Sequence, residues 1–401
     1  MKLLELAAWS KEAAELTVSE VAEIAQTGLV DVVAGSTAGE FRLVTNSRVG
    51  VASGDGWELR VRPKLAIPRL FFLIAYARDP NGWKDQSAFF EGADDLVDAI
   101  ASGFAWQALN AVEGGLLRGY VEVEDRIPTI RGRLRFADQI ARNATLPIPA
   151  EVAYDEYTED ILENRILKTA TLLLLRLPRV PEKTRHRLLR LRSLLGYVSV
   201  IDRPRDTRFP LMTRLNQNYG HALRLAELIF QSASFDAARG EFAATAFAFD
   251  MNKVFEDFVT TALSEAFEQH GGSLRAQFDR LSLDFAERLN LRPDLTWWVD
   301  GDCRAIIDAK YKAIDEGVMR NGDAYQMLAY CTAFNLSRGY LVYARDSGQE
   351  PRVHVIRHSG HEIHVEAIDV EKPPADVLAA IAGFAARLAE ATPASVAAAA
   401  A

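Results

Sequence analysis

The sequence predicts a protein of mixed α+β and α/β class, in which a β-rich and helical N-terminal region precedes an α/β C-terminal domain. Over residues 1 to about 65, short runs of alternating apolar and polar residues are separated by glycines, which is typical of strands. The middle of the chain carries apolar residues at helical spacing. The last third places strand-like runs between helical segments, the order expected of an α/β domain.

A chain of 401 residues suits two or three domains. We predict a β-rich module over residues 1–90, a mainly helical region over 91–235 and the C-terminal domain over 236–401. The net charge of −9 argues against a broad, non-specific coat for nucleic acid, although a local basic face is compatible with it. No apolar run is long enough to span a bilayer, and acidic residues interrupt the N-terminus, so we expect a cytoplasmic protein with no membrane partner.

The N-terminal elements follow from local patterns. A helix is predicted over 18–25, after a cap at Thr17 or Ser19. A second helix, over 69–77, is apolar on most of its surface, and its four large apolar side chains are predicted to be core residues and not a stacking surface for bases: Phe71, Phe72, Ile74 and Tyr76. Strands are predicted over 3–6, 29–33, 40–45, 48–52 and 57–62.

The middle region is predicted to hold four helices, over 96–117, 159–177, 181–195 and 216–232. A half-exposed strand precedes the second of these, and the arginines that follow it, Arg131, Arg133 and Arg135, share one side if the chain is extended there. They are candidates for contact with phosphate or with an acidic partner, and a solvated edge strand is the alternative.

The helix over 181–195 is the most basic part of an otherwise acidic chain. We identify Arg187 and Arg190 on it as candidate contacts with the DNA backbone. A charged, solvated helix face is the alternative, and the residues alone leave both open.

The stretch from Asp294 to Lys310 is the most informative part of the chain. Two strand-like runs flank an Asp-Gly dipeptide, which is typical of tight hairpin turns. In an antiparallel hairpin that turns at this glycine, Asp294 is expected opposite Asp308. Alternate residues of a strand share a face, so Asp308 and Lys310 project together, roughly 7 Å apart. The spacing therefore predicts two carboxylates and an ammonium at one end of a hairpin.

These groups match the needs of magnesium-dependent phosphoryl chemistry. Mg²⁺ takes oxygen ligands and keeps several waters, so Asp294 and Asp308 are candidate ligands of a metal that is not tightly bound. Lys310 is expected to hold or deprotonate the attacking water, or to offset phosphate charge. The alternative is an ordinary Asp–Lys surface pair at the end of a strand.

This stretch resembles the PD-(D/E)xK nuclease motif, with Pro293-Asp294 as its first part and Asp308-Ala309-Lys310 as its second. Residues 323–330, DAYQMLAY, are similar to the Gln-x-x-x-Tyr helix of RecB-like nucleases, and residues 251–259, MNKVFEDFV, to the first helix of that fold. With further motifs at 61–64, 130–133 and 158–168, the chain resembles the McrC family, the nuclease subunits of McrBC modification-dependent restriction systems.

The resemblance implies a PD-(D/E)xK restriction-endonuclease-like domain over 236–401 and Mg²⁺-dependent cleavage of double-stranded DNA. It also implies assembly with a separate AAA+ GTPase ring of the McrB type, docked and stimulated by the N-terminal half. Glu256 would support the metal or the water. Gln326 and Tyr330 would contact DNA phosphate or brace the site, with packing an alternative role for Tyr330, and Lys312 is a further candidate of this kind.

The middle position of the motif departs from the commoner family pattern. Asp308 stands where glutamate is commoner, and its shorter side chain needs the strand nearer the metal.

Two alternative functions remain open. A stand-alone RecB-like structure-specific nuclease would cut without a partner. A non-catalytic assembly subunit is the second alternative, against which Asp294, Asp308 and Lys310 argue.

Other site classes lack support in the sequence. There is no G-x-x-x-x-G-K-[ST] loop, so no nucleotide is expected in this chain. Two cysteines form no disulfide framework, and both are expected to be core thiols. Four histidines near the C-terminus lack a recognised zinc spacing, and we predict no zinc site from them: His354, His358, His361 and His364.

Overall fold

The computed structural model describes residues 2–37, 39–81, 95–143, 148–178, 180–234, 245–279, 281–311, 321–345 and 351–391. The chain divides into two units, one formed by residues 1–96 with 248–401 and the other by residues 97–247. The predicted mixed α/β class is confirmed. The division into three parts near residues 90 and 235 stays a prediction, and the structure places the first and last of these parts mainly in one unit.

The helices are α1 (Val18–Thr27), α2 (Ile67–Arg78), α3 (Leu96–Ala111), α4 (Phe136–Asn143), α5 (Leu162–Arg176), α6 (Glu182–Leu194), α7 (Gly220–Ser232), α8 (Met251–Glu268), α9 (Asn321–Phe334) and α10 (Pro374–Ala391). The strands of the first unit that precede α2 are β1 (Lys2–Ala7), β2 (Lys11–Glu15), β3 (Val30–Ala34), β4 (Glu40–Thr45), β5 (Arg48–Gly54) and β6 (Trp57–Arg62). Those of the second unit are β7 (Gly119–Ile127), β8 (Arg133–Leu134), β9 (Ala150–Thr158) and β10 (Ala233–Ser234), and β11 (Thr245–Asp250) spans the division. The remaining strands are β12 (Ser273–Ala276), β13 (Leu281–Ser282), β14 (Asn290–Leu291), β15 (Leu295–Val299), β16 (Asp302–Lys310), β17 (Arg338–Arg345), β18 (Arg352–Val355) and β19 (Glu362–Asp369).

A six-stranded sheet with the order β12-β15-β16-β17-β19-β18 forms the centre of the first unit. Its strands β16, β17 and β19 run parallel, and the outer pairs are antiparallel. Different helices cover the two faces. Tyr340 of β17 packs on Phe384 of α10 with ring centres 5.8 Å apart, whereas Leu341 and Tyr343 lie in an apolar cluster with Met327 of α9. A sheet covered by helices on both faces is what the alternating pattern of the last third predicts.

Residues 1–96 join this unit through α2. Phe72 lies 5.4 Å from the ring of Phe258 on α8, and the Thr261 hydroxyl donates to the Ala77 carbonyl at 3.0 Å. Fully burying a large apolar side chain contributes roughly 1.5–3 kcal/mol. The side chains predicted to be core residues of this helix are all buried, which confirms that prediction: Phe71, Phe72, Ile74 and Tyr76.

The second unit contains an antiparallel sheet of order β7-β9-β8, together with helices α5, α6 and α7. The segment 158–168, one of the McrC-like motifs, joins this sheet to α5. The buried Asn164 amide donates to the carbonyls of Leu117 and Glu159 at 2.8 and 2.7 Å, and Lys168 donates to the Gly196 carbonyl at 3.1 Å. The motif therefore fixes two loops against one helix.

Both cysteines lie in core elements of the first unit. Cys331 is fully buried and Cys303 half-buried, and burial raises the pKa of both thiols, so the core role predicted for them fits. In the described part of the chain, no helix combines the length and apolar character needed to cross a membrane.

Candidate active site

The hairpin predicted from the Asp-Gly dipeptide is formed by β15 and β16. Its first pair, Leu295↔Ile307, has the predicted register, and a bulge shifts the register only nearer the turn. Extending the ladder by one residue places Asp294 opposite Asp308. The Ala309 N–H donates to Asp294 Oδ2 at 3.0 Å, so the first carboxylate is held against the backbone beside the second.

Asp308 is the buried carboxylate of this arrangement, with 1% of its surface exposed. It projects from β16 on the face of Ile306, which lies in the apolar cluster with α9. Lys310 Nζ lies 2.6 Å from its Oδ2, whereas its Oδ1 receives no hydrogen bond from a described residue. Burial, followed by the charge of Asp294, raises the pKa of Asp308 above its ordinary value, and Lys310 only partly opposes this. An ionised carboxylate in this position gains from a bound cation.

Lys310 supplies the positive charge of the site. Burial acts to lower its pKa, but the charges of Asp308, Asp294 and Asp323 outweigh burial and raise it. The ammonium is therefore protonated near neutral pH. In this state the lysine can orient water or offset phosphate charge, and it cannot accept a proton.

Glu256 is linked to Asp294 by Gln277, a residue that the sequence does not single out. The Gln277 side-chain amide donates to Glu256 Oε1 and to Asp294 Oδ1, the latter at 3.3 Å. Its backbone N–H donates to the Asp294 carbonyl at 2.8 Å. Burial, followed by the charges of Asp294 and Asp257, raises the pKa of Glu256. The glutamine therefore holds two acidic groups close to each other.

Tyr330 contacts the chain immediately before Asp294, and Gln326 holds the Tyr330 hydroxyl. Gln326 Nε2 donates to Tyr330 Oη at 2.7 Å, and this hydroxyl donates to the Arg292 carbonyl at 3.0 Å. Tyr330 is buried in the cluster between α9 and the sheet. This geometry favours the bracing alternative, and contact of either side chain with DNA phosphate stays a prediction.

Asp323 is the second site residue that the sequence reasoning missed. Its buried carboxylate accepts a hydrogen bond from Tyr343 Oη at 2.8 Å, and Tyr343 is paired with Lys310 across β16 and β17. The available signal was its position, three residues before Gln326 on the same helix. An aspartate on that face adds negative charge near the lysine.

The carboxylates fit a hard divalent cation such as Mg²⁺. Among the described residues, no cluster of three or more His, Cys, Asp or Glu side chains forms a ready-made metal cage. Mg²⁺ is commonly held by one or two carboxylates with water and substrate phosphate as further ligands. Asp308 has an oxygen that no described donor satisfies, and Asp294 lies beside it, so these two residues would be the ligands. Glu256 is connected to Asp294 only through Gln277.

The family model of the McrBC 5-methylcytosine restriction system component matches residues 43–344. The chain belongs to the McrBC family. Its fold is similar to that of a chain in a refined half-complex from the tetradecameric assembly of Thermococcus gammatolerans McrB AAA+ hexamers with bound McrC. That match has a TM-score of 0.61 and 18% identity, and it covers 96% of this chain and 100% of the other. A chain of the cryo-EM structure of the Thermococcus gammatolerans McrBC complex matches with a TM-score of 0.41 and 21% identity, over 66% and 88% of the two chains. No curated protein matches significantly.

In this McrBC-family chain, the arginines after β7 do not form an extended row. Gly132 has φ +69, and a Cβ at this position would meet the backbone of β9, so the chain turns between Arg131 and Arg133. Arg131 lies over the Tyr154 ring at 4.1 Å, and Arg133 pairs with Glu122 at 3.4 Å. The turn takes Arg131 out of the expected row, whereas Arg133 and Arg135 pair with Glu122 and Glu124, which share one face of β7. Contact of Arg131 and Arg133 with DNA stays a prediction.

Arg187 and Arg190 lie on one face of α6 and line a cavity of about 310 Å³ with residues of α3 and the turn after it. Trp106, 40% exposed, forms part of its wall, and Glu113 contributes a carboxylate. Neither arginine forms an ion pair with another described residue. Two guanidiniums beside an indole can contact phosphate and a base, so the cavity supports the prediction of a DNA contact without testing it.

Lys312 and the C-terminal histidines are the remaining residues considered from the sequence. Lys312 lies outside the described residues. His364 Nε2 donates to Glu362 Oε2 at 3.0 Å, and none of the four C-terminal histidines belongs to a metal-type cluster of described residues.

Proposed function

We propose that this chain is the Mg²⁺-dependent DNA endonuclease subunit of a McrBC-type (type IV) restriction system. The observation that carries the proposal is the Asp308 carboxylate, buried on a sheet strand with an unsatisfied oxygen and flanked by Asp294 and Lys310. A buried carboxylate oxygen that receives no hydrogen bond is unfavourable in the protein alone. Such an arrangement is expected where a ligand supplies the missing partner.

The proposed reaction is hydrolysis of a phosphodiester in double-stranded DNA by a PD-(D/E)xK-type site. A water oxygen forms a new P–O bond, the bond to one ester oxygen breaks, and a proton is transferred to that leaving oxygen. Mg²⁺ held by Asp294 and Asp308 would lower the pKa of bound water and neutralise phosphoryl charge. Lys310 orients the water or offsets charge on the phosphate, and Glu256, held by Gln277, keeps Asp294 in place.

We also propose that the chain acts in the cytoplasm as part of an assembly with an AAA+ GTPase ring of the McrB type and stimulates its GTPase. Family membership supports this proposal. The Thermococcus gammatolerans half-complex contains McrB AAA+ hexamers with bound McrC, and this chain has a similar fold over 96% of its length.

Plasmid cleavage tests the function directly. We expect cutting of DNA that carries 5-methylcytosine when the chain is combined with an AAA+ GTPase of the McrB type, GTP and Mg²⁺, and no cutting with EDTA. Cutting by the chain alone would favour a stand-alone nuclease. If GTPase stimulation is present and DNA stays intact under every condition, the chain is a non-catalytic assembly subunit and the proposed chemistry is wrong.

The cavity arginines give a second test. Arg187→Gln with Arg190→Gln is expected to weaken DNA binding by the assembled complex about tenfold and to reduce the salt dependence of the affinity by roughly two ions. The measurement is fluorescence anisotropy of a labelled duplex at several salt concentrations.

A matched pair on the same helix serves as the control. The double variant Arg185→Gln/Arg192→Gln removes the same charge from exposed positions outside the cavity. We expect it to change the DNA affinity by less than about twofold, a free-energy difference below about RT. Equal losses in both double variants would show a general charge effect and remove the cavity from the proposed interface.

A further inference from the structure

A short hairpin directly before the candidate metal ligand presents an apolar tip to solvent. β13 pairs with β14, and the Leu283 N–H donates to the Leu289 carbonyl at 2.9 Å, which closes the ladder. Phe285, at the tip, is 110% exposed, and Leu283 and Leu289 are 40% and 56% exposed. Leaving a phenylalanine in water forfeits roughly 1.5–3 kcal/mol of burial. A tip of this composition is therefore expected to contact another molecule.

The tip is ordered by its own backbone bonds. Asp284 Oδ1 accepts from the N–H groups of Arg288 and Leu289 at 2.9 and 2.8 Å, and the Glu287 N–H donates to the Asp284 carbonyl at 3.2 Å. Hydrogen bonds from the Leu289 and Arg288 backbone lower the pKa of Asp284, so its charged form holds the loop. Phe285 is therefore held out by a closed loop and does not extend from an unpaired strand.

The base of the hairpin is fixed to the candidate active site. Leu291 packs against the apolar cluster below α9, and the Arg292 carbonyl accepts from Tyr330 Oη. Asp294 follows two residues later. With about 3.4 Å for each residue of extended chain, the segment from Arg288 to Asp294 reaches at most about 20 Å. At about 3.4 Å for each base pair, the tip is therefore within about six base pairs of the candidate site along a bound duplex.

We propose that residues 281–291 form a DNA-contacting hairpin, in which Phe285 inserts between base pairs that flank the cut. The inference rests on the proposed nuclease function, because it places the hairpin on the path of a duplex whose phosphate occupies the site. Arg288 and Arg292 are exposed and form no ion pair with a described residue, so their guanidiniums are available to flanking phosphates. Apolar side chains that enter base steps from the minor groove unstack them and bend the duplex.

The test uses the assembled complex with its AAA+ partner and a duplex that contains 2-aminopurine at successive positions three to eight base pairs from the cut. The wild type is expected to raise the fluorescence of one or two of these positions, because an unstacked 2-aminopurine is brighter. Phe285→Ala is expected to abolish that rise and to weaken DNA binding about tenfold, with an unchanged melting temperature since the ring contacts only solvent. Phe285→Trp is expected to restore the signal.

Val355→Ala is the control, and we expect it to leave the fluorescence rise and the DNA affinity unchanged. Val355 is an exposed apolar residue on β18, which lies at the opposite edge of the six-stranded sheet from β12. If the wild-type complex cleaves DNA and Phe285→Ala keeps both the fluorescence rise and the DNA affinity, the hairpin proposal is wrong and the nuclease function stands. If Phe285→Ala loses self-association and keeps its DNA affinity, the tip contacts a second copy of the chain, and the hairpin proposal is also wrong. A wild-type complex that neither binds nor cuts DNA contradicts both proposals.

Discussion

Replacement of Asp308 by Asn is expected to lower the rate of DNA cleavage by about a thousandfold, or about 4 kcal/mol of transition-state stabilisation. The amide keeps the size of the side chain and removes the charge that a divalent cation needs. The measurement is single-turnover cleavage of plasmid by the assembled complex at saturating Mg²⁺. Asp308 is buried and has an oxygen that no described donor satisfies, so the amide removes the ligand charge directly at the proposed metal position.

The same variant separates a metal ligand from a structural residue. A structural ion pair between Asp308 and Lys310 would make the variant less stable by about 3–5 kcal/mol, since one partner of a buried pair is removed. For a metal ligand, we expect an unchanged or higher melting temperature without Mg²⁺, because an unfavourable buried charge is lost. Mg²⁺ should raise the melting temperature of the wild type and not that of the variant.

Asp302→Asn provides the matched control for this series. It makes the same chemical change at the start of the same strand, where the side chain is 68% exposed. Full activity of Asp302→Asn and loss in Asp308→Asn would locate the effect at the site. Cleavage that persists in Asp308→Asn at the wild-type rate contradicts the assignment of Asp308.

The core of the site could be predicted because its signals are local. The Asp-Gly dipeptide adopts φ of 53° at Asp300 and 89° at Gly301, the left-handed pair that a two-residue hairpin turn requires. Once the turn is fixed, the two-residue period of the strands determines which side chains share a face. The relation between Asp294 and Asp308 therefore follows from the sequence alone.

Features that depend on distant partners could not be predicted in this way. Residues Lys11–Glu15, KEAAE, have a helix-favouring composition, yet they form β2 because they pair with β4. Gln277 belongs to the site only because β12 pairs with β15. The turn at Gly132 is imposed by its close approach to β9, which no local pattern of arginines reveals.

Asp160→Asn is expected to reduce the free energy of unfolding of the second unit by about 2 kcal/mol. The Asp160 carboxylate accepts from Arg165 Nε and Nη2 at 2.8 and 2.9 Å, and from the Ser199 N–H and hydroxyl, both at 2.7 Å. Burial acts to raise the pKa of Asp160, but these hydrogen bonds outweigh it and lower the pKa to about 2. An asparagine keeps the shape and loses the charge-assisted part of four hydrogen bonds.

The difference in unfolding free energy between the wild type and Asp160→Asn should become smaller at acidic pH. A folded-state pKa of about 2, against an ordinary value of 3.8, means that the carboxylate stabilises the fold fully above about pH 5. This contribution decreases as the pH falls towards 2, where the wild-type residue becomes protonated. The gap between wild type and Asp160→Asn should therefore be constant from pH 5 to 7 and shrink from pH 4 to 2.

Hydrogen exchange of the full-length chain decides what the motif at 158–168 does. If Asp160 acts on the fold, Asp160→Asn speeds exchange at Ser199 and at the loop after α6, while Asp202→Asn, an exposed carboxylate in the same loop, leaves exchange unchanged. GTPase stimulation should then fall only in proportion to the population of opened loop. Normal exchange together with lost stimulation would instead place Asp160 in direct contact with the partner, and the hydrogen bonds to Ser199 would have to break on assembly. Because Lys168 of the same motif also holds the loop after α6, through the Gly196 carbonyl, the geometry favours the first outcome.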